Sequence, residues 1–113
     1  MSRPAVLAVD GGGSKIDVVL VARDGSVVGG ARVLPPDGNG RDPSHSAPVM
    51  EAVGAALRDG GIDAERRPVA KVGVFCLAGA DLPADDRRIK RWLRERDWTA
   101  ETLLRNDTFA VLR

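Results

Sequence analysis

The spacing of the first three apolar runs constrains the fold more than any other feature of this 113-residue chain. The runs cover residues 5–9, 16–22 and 27–33, and only six and four residues separate them. Short apolar, β-branched runs bounded by Gly- and Asp-containing turns are typical of strands. Because a parallel crossover needs a dozen or more residues, these short connections predict an antiparallel meander of three strands.

The rest of the chain alternates between helix and strand patterns. Residues 34–44 are rich in Pro and Gly and predict a loop, and residues 69–77 predict a buried strand. A first helix is expected before that strand, with Ser44 or Ser46 as its cap and an end at residues 60–61. Its predicted apolar face consists of Val49, Met50, Val53, Ala56 and Leu57. A second helix is expected over residues 83–97, a strand at 102–107 and a third helix from 108.

The order βββαβαβ(α) predicts an α/β domain over residues 1–113, with a mixed five-stranded sheet. Strands one, four and five are expected to lie parallel. This is the element order of the ribonuclease H-like fold of actin-like ATPases and sugar kinases.

Composition excludes few functions here. Seventeen Lys and Arg balance sixteen Asp and Glu, so no overall charge favours nucleic acid or a membrane surface as partner. Residues 87–96 carry six cations and one anion, but an apolar stripe through Ile89, Trp92 and Leu93 favours an amphipathic helix with a solvated face. The lone Cys76 excludes an internal disulfide, is expected to be buried and inert, and fits a cytoplasmic protein. His45 is expected to lie at the surface and not to bind a metal, and Trp92 and Trp98 are expected to pack a helix against the sheet.

A glycine-rich motif, DGGGSK at residues 10–15, connects the first two predicted strands. The Walker pattern fails because a strand follows it, and the Rossmann pattern fails because residue 16 is Ile. The motif is then either a hairpin that binds phosphate through its backbone N–H groups or an ordinary glycine-rich turn. In the first case, Asp10 could hold a Mg²⁺ ion through water.

Asp107 lies at the end of the fifth predicted strand, on the side of the sheet where α/β proteins bind ligands. It could cap the next helix, or it could act as the general base that accepts the proton of a hydroxyl during phosphoryl transfer.

Three segments in order, AVDGGGSK (8–15), LAGADLP (77–83) and NDTFAVLR (106–113), resemble the N-terminal signatures of the BadF/BadG/BcrA/BcrD-type ATPases. The resemblance is to the branch similar to N-acetylglucosamine kinase, and it covers the whole chain. It implies an ATP- and Mg²⁺-dependent sugar kinase that acts on an amino sugar, with no nucleic-acid or membrane partner and with a homodimer allowed.

The resemblance also assigns site residues. It implies a phosphate motif at Gly11, Gly12, Gly13, Ser14 and Lys15. It implies that Asp107 is the catalytic base, that Asn39 binds the sugar and that Gly79 and Asp81 contact sugar or phosphate. Asp81 is equally well placed to cap the second helix.

The chain then corresponds to a truncated N-terminal lobe, and we expect no kinase activity from it alone because the nucleotide-binding lobe is missing. Two alternatives remain: an ATPase that activates an acyl-CoA reductase or dehydratase, and a non-catalytic sugar-binding remnant.

Overall fold

Seven secondary-structure elements follow one another in the predicted order. The computed structural model describes residues 4–11, 15–34, 46–77 and 83–106. The elements are β1 (Val6–Gly11), β2 (Ile16–Val21), β3 (Val27–Val33), α1 (Ser46–Asp59), β4 (Ala70–Leu77), α2 (Pro83–Arg96) and β5 (Thr99–Asn106). The third helix predicted from residue 108, and His45, lie outside the described residues.

The five strands form one mixed sheet in the order β3-β2-β1-β4-β5. β2 pairs antiparallel with both β1 and β3, which confirms the meander. β4 pairs parallel with both β1 and β5, which confirms that strands one, four and five run together. The helices α1 and α2 supply the two crossovers between the parallel strands.

Both described helices pack on the same side of the sheet, which we call the helix face. Side chains alternate along each strand, so cross-strand partners such as Val9, Val18 and Phe75 share this face and are buried there. The Arg96 guanidinium of α2 approaches the Met50 sulfur of α1 at 3.9 Å, so the helices are neighbours. We call the opposite side the open face. The residues on this side are half-buried or exposed and include Val6, Ala8 and Asp10 of β1.

The apolar face of α1 differs from the prediction at one position. Met50 is 45% exposed and Ala52 is fully buried in its place. The buried positions 49, 52, 53, 56 and 57 form a continuous helical stripe, and residue 50 lies on its flank. The other four predicted core residues of α1 are confirmed.

β5 begins at Thr99, three residues earlier than predicted, and α2 ends at Arg96. Asp97 has a positive φ of 55°, which turns the chain sharply after α2. This turn places Trp98 in the core, where its ring stacks on Phe75 at 6.3 Å and meets Trp92 edge-on at 5.7 Å. Both tryptophans therefore join α2 to the sheet, as predicted.

Candidate functional site

Each of the five described strands has one end at the same edge of the sheet, the edge that runs across the strands. The cross-strand partners at this edge form a single row of five residues: Val33, Ile16, Gly11, Leu77 and Asn106. At about 4.8 Å between neighbouring strands, the row is about 19 Å long, and Gly11 and Asn106 are about 10 Å apart along it. These are the carboxyl ends of β1, β4 and β5, where α/β sheets bind ligands.

Every predicted site residue belongs to a segment that adjoins this row in the sequence. Asp10, Gly11 and Lys15 are described. The others lie outside the described residues: Gly12, Gly13, Ser14, Asn39, Gly79, Asp81 and Asp107. Residue 12 follows Gly11, residue 78 follows Leu77, and Asp107 follows Asn106. The roles assigned to all of these residues stay predictions.

Gly11 is buried and is required by packing. A Cβ atom at this position would lie 2.8 Å from Cδ2 of Leu77, a fully buried side chain, and 3.7 Å from Cγ1 of Ile16. The first glycine of the motif thus allows β4 to pack against β1, whatever the loop binds. This structural role was not foreseen from the sequence.

Asp10 is the penultimate residue of β1 and its side chain is exposed on the open face. Its cross-strand partners are Asp17 on β2 and Cys76 on β4. An accessible carboxylate is the kind of oxygen ligand that a hydrated Mg²⁺ ion accepts, so Asp10 fits the predicted metal role. The described residues contain no group of three His, Cys, Asp or Glu side chains that could hold a metal ion.

Two charged residues at this end of the sheet were missed by sequence reasoning. Asp17 lies opposite Asp10 in the sheet, and Arg32 lies opposite Asp17. The Asp17 carboxylate contacts the Arg32 Nε at 2.6 Å and the Lys15 Nζ at 3.8 Å. The hydrogen bond to Asp17, together with the charge of its carboxylate, raises the pKa of Arg32. Only the hairpin register, which sequence patterns leave open, could have revealed this cluster.

The remaining candidates keep structural roles among the described residues. Cys76 is half-buried and not fully buried, because it lies on the open face next to Asp10. Ile89 and Leu93 are buried on α2, while Arg87, Arg88 and Arg91 are exposed, which confirms the amphipathic pattern. No helix in the described part of the chain is long and apolar enough to cross a membrane.

Comparison with known proteins supports the fold. No family model and no curated protein matches the chain. Among solved structures, it is similar to a "Putative N-acetylglucosamine Kinase" from Chromobacterium violaceum, with a TM-score of 0.71 and 18% sequence identity. The match covers 99% of this chain and 38% of the length of that protein. The chain therefore shares the α/β fold of that structure over the part that the match covers.

Proposed function

We propose that the chain forms the N-terminal, phosphate-binding lobe of an ATP-dependent sugar kinase with a ribonuclease H-like fold. The observation that carries this proposal is the single row of strand ends, because all the predicted site segments adjoin it in the sequence. The similarity in fold to the bacterial kinase supports the same reaction class. The sequence resemblance to the BadF/BadG/BcrA/BcrD-type ATPases favours an amino sugar such as N-acetylglucosamine as the acceptor.

The roles of the residues in this proposal follow from their chemistry. The backbone N–H groups of residues 11–15 and the Lys15 ammonium bind the phosphates of ATP. Asp10 holds Mg²⁺ through water, and the ion offsets the charge that the phosphates carry. Asn39 orients the sugar, with Gly79 and Asp81 as further contacts.

Asp107 acts as the general base in this proposal. A hydroxyl oxygen of the sugar bonds to the γ-phosphorus, and the bond from that phosphorus to the oxygen retained by ADP breaks. The hydroxyl proton passes to the Asp107 carboxylate, which releases it to water. A carboxylate within about 3 Å of the hydroxyl performs this step without an unusual pKa, because the proton is lost late in phosphoryl transfer.

The test is the Asp107→Asn variant of the longest polypeptide that the gene encodes. Sugar-dependent ADP formation from MgATP should fall by roughly 10²- to 10⁴-fold, the usual contribution of a general base. Sugar affinity, measured by calorimetry, should stay within a few-fold of the wild-type value because the amide keeps the size of the carboxyl group.

Asp97→Asn is the matched control. Asp97 lies just before β5, at the opposite end of that strand from Asn106, and the two residues are about 25 Å apart. Asn tolerates the positive φ of residue 97. This variant should keep wild-type activity.

Full activity of Asp107→Asn would overturn the assignment of the base. A rate of ATP hydrolysis that does not depend on sugar would favour the reductase-activating ATPase. Sugar binding without turnover would favour the non-catalytic remnant.

A further inference from the structure

Asp17 is two residues after the 10–15 motif in the sequence, and its carboxylate contacts two cations. Its carboxylate Oδ1 accepts a hydrogen bond from the Arg32 Nε at 2.6 Å, and Oδ2 lies 3.5 Å from the Arg32 Nη2. The same Oδ2 is 3.8 Å from the Nζ of Lys15, the last residue of the motif. Asp17 is therefore the link between the phosphate motif and β3.

The Lys15 ammonium is accessible enough to bind an anion. Lys15 is about half exposed, and its ammonium has three N–H donors. At 3.8 Å its contact with Asp17 is an ion pair and not a close hydrogen bond, while Arg32 engages both oxygens of the carboxylate. Together, Lys15, Asp17 and Arg32 carry a net charge of +1.

The alternative role for Asp17 is that of a second magnesium ligand beside Asp10. The two carboxylates face each other across neighbouring strands, an arrangement of like charges that destabilises a sheet unless cations offset it. Arg32 and Lys15 are the offsetting cations on the Asp17 side. Because both Asp17 oxygens already contact these cations, Asp17 is better suited to hold Lys15 than to bind a metal.

We propose that Asp17 is a positioning residue that holds the Lys15 ammonium at the β1–β2 hairpin for the phosphates of the nucleotide. Arg32 holds the Asp17 carboxylate in turn. This inference rests on the proposed function, because it assumes that the hairpin binds nucleotide phosphates.

A double-mutant cycle on the full-length gene product tests the proposal. The dissociation constants of MgATP and of inorganic tripolyphosphate are measured by calorimetry for the wild type, Lys15→Ala, Asp17→Asn and the double variant. Each single variant should raise the dissociation constants of both ligands by about ten-fold, the loss expected when a charge-assisted contact is misplaced. The double variant should bind no more weakly than Lys15→Ala, because Asp17 acts only through Lys15.

Two controls separate positioning from a general structural role. Asp24→Asn changes the same charge in the turn at the far end of β2 and should leave both dissociation constants unchanged. The KM for the sugar should stay within two-fold in Asp17→Asn while the KM for ATP rises. If Asp17→Asn does not fold, Asp17→Glu replaces it in the cycle, because Glu keeps the Arg32 pair and displaces the carboxylate by one methylene.

Effects of Lys15→Ala and Asp17→Asn that simply add, or an unchanged affinity in Asp17→Asn, would overturn this proposal and leave the kinase assignment standing. A wild-type protein that binds neither MgATP nor tripolyphosphate would overturn both. Sugar phosphorylation by the wild type, measured in parallel, tests the proposed function independently of Asp17.

Discussion

Asp24 orders the turn between β2 and β3 through contacts with one neighbour. Its Oδ1 accepts a hydrogen bond from the Ser26 backbone N–H at 2.9 Å and another from the Ser26 hydroxyl at 2.7 Å. Gly25, between them, has a φ of +91°, which only glycine adopts easily. The hydrogen bonds from Ser26 stabilise the ionised carboxylate and therefore lower the pKa of Asp24.

Replacing Ser26 with Ala should raise the pKa of Asp24, because the hydroxyl donor is lost. Carbon-detected NMR titration of the Asp24 carboxyl group measures this change. Ser26→Thr, which keeps a hydroxyl group, is the matched control and should preserve the low pKa. An identical Asp24 titration in wild type and Ser26→Ala would contradict this account of the turn.

The direction of the shift also sets a pH dependence. The pKa of Asp24 is lower in the folded chain than the value of about 3.9 for an unfolded one. The carboxylate therefore adds stability that is complete above that pH and disappears as the pH falls through the folded-state pKa. Acid unfolding of Ser26→Ala should accordingly show a weaker loss of stability below pH 4 than that of the wild type.

At the scale of elements, β3 and α1 approach each other too closely for a side chain. A Cβ atom at Gly29 would lie 2.7 Å from the Ala56 carbonyl oxygen and 2.7 Å from the Gly60 nitrogen. Next to it, the Gly30 N–H donates to the Asp59 carboxylate at 3.0 Å. The end of α1 is thus attached to β3 by backbone contact as well as by apolar packing.

Gly29→Ala should lower the free energy of unfolding by about 1–3 kcal/mol, because two backbone segments must move apart. Gly54→Ala, inside α1, is the matched control: its Cβ would meet only the flexible Arg58 Nη1 at 3.4 Å. That change should raise the free energy of unfolding by about 0.5–1 kcal/mol through helix propensity. Urea unfolding followed by Trp fluorescence measures both, and equal effects of the two variants would contradict the close approach.

At the scale of the whole molecule, the strand order brings distant parts of the chain to one edge. Residues 11 and 106 are separated by most of the sequence, yet only β4 lies between their strands. The crossovers through α1 and α2 place β4 and β5 on the same side of β1. The candidate site is therefore a product of topology and not of any single motif.

The same topology predicts how protection from hydrogen exchange is distributed. The interior strands β2, β1 and β4 have neighbours on both sides, while β3 and β5 are the outer strands of the sheet that the described residues form. Backbone amides of the interior strands should exchange slowest. In β3 and β5 the sheet should protect only every second amide, and the Gly30 N–H is additionally protected by its hydrogen bond to Asp59. Exchange followed by NMR tests this, and continuous slow exchange along β3 would contradict the strand order.

The element order, the antiparallel meander, the parallel strands and the amphipathic face of α2 could all be predicted from the sequence. These features depend on local periodicity and on the length of connections, which a sequence displays directly. The start of β5 was misplaced because the turn at Asp97 lets Trp98 pack in the core, and Met50 was misassigned because an apolar residue on the flank of a helix looks like a core residue.

Only the tertiary structure decided why Gly11 is small and which charges surround Lys15. Leu77 is distant from Gly11 in the chain, and Arg32 is distant from Asp17, the residue that pairs with Lys15. Contact within each pair depends on strand register and on how closely the strands pack. Periodicity carries no information on either. The motifs therefore indicate the class of chemistry, while strand register and packing decide which residues contact one another at the edge of the sheet.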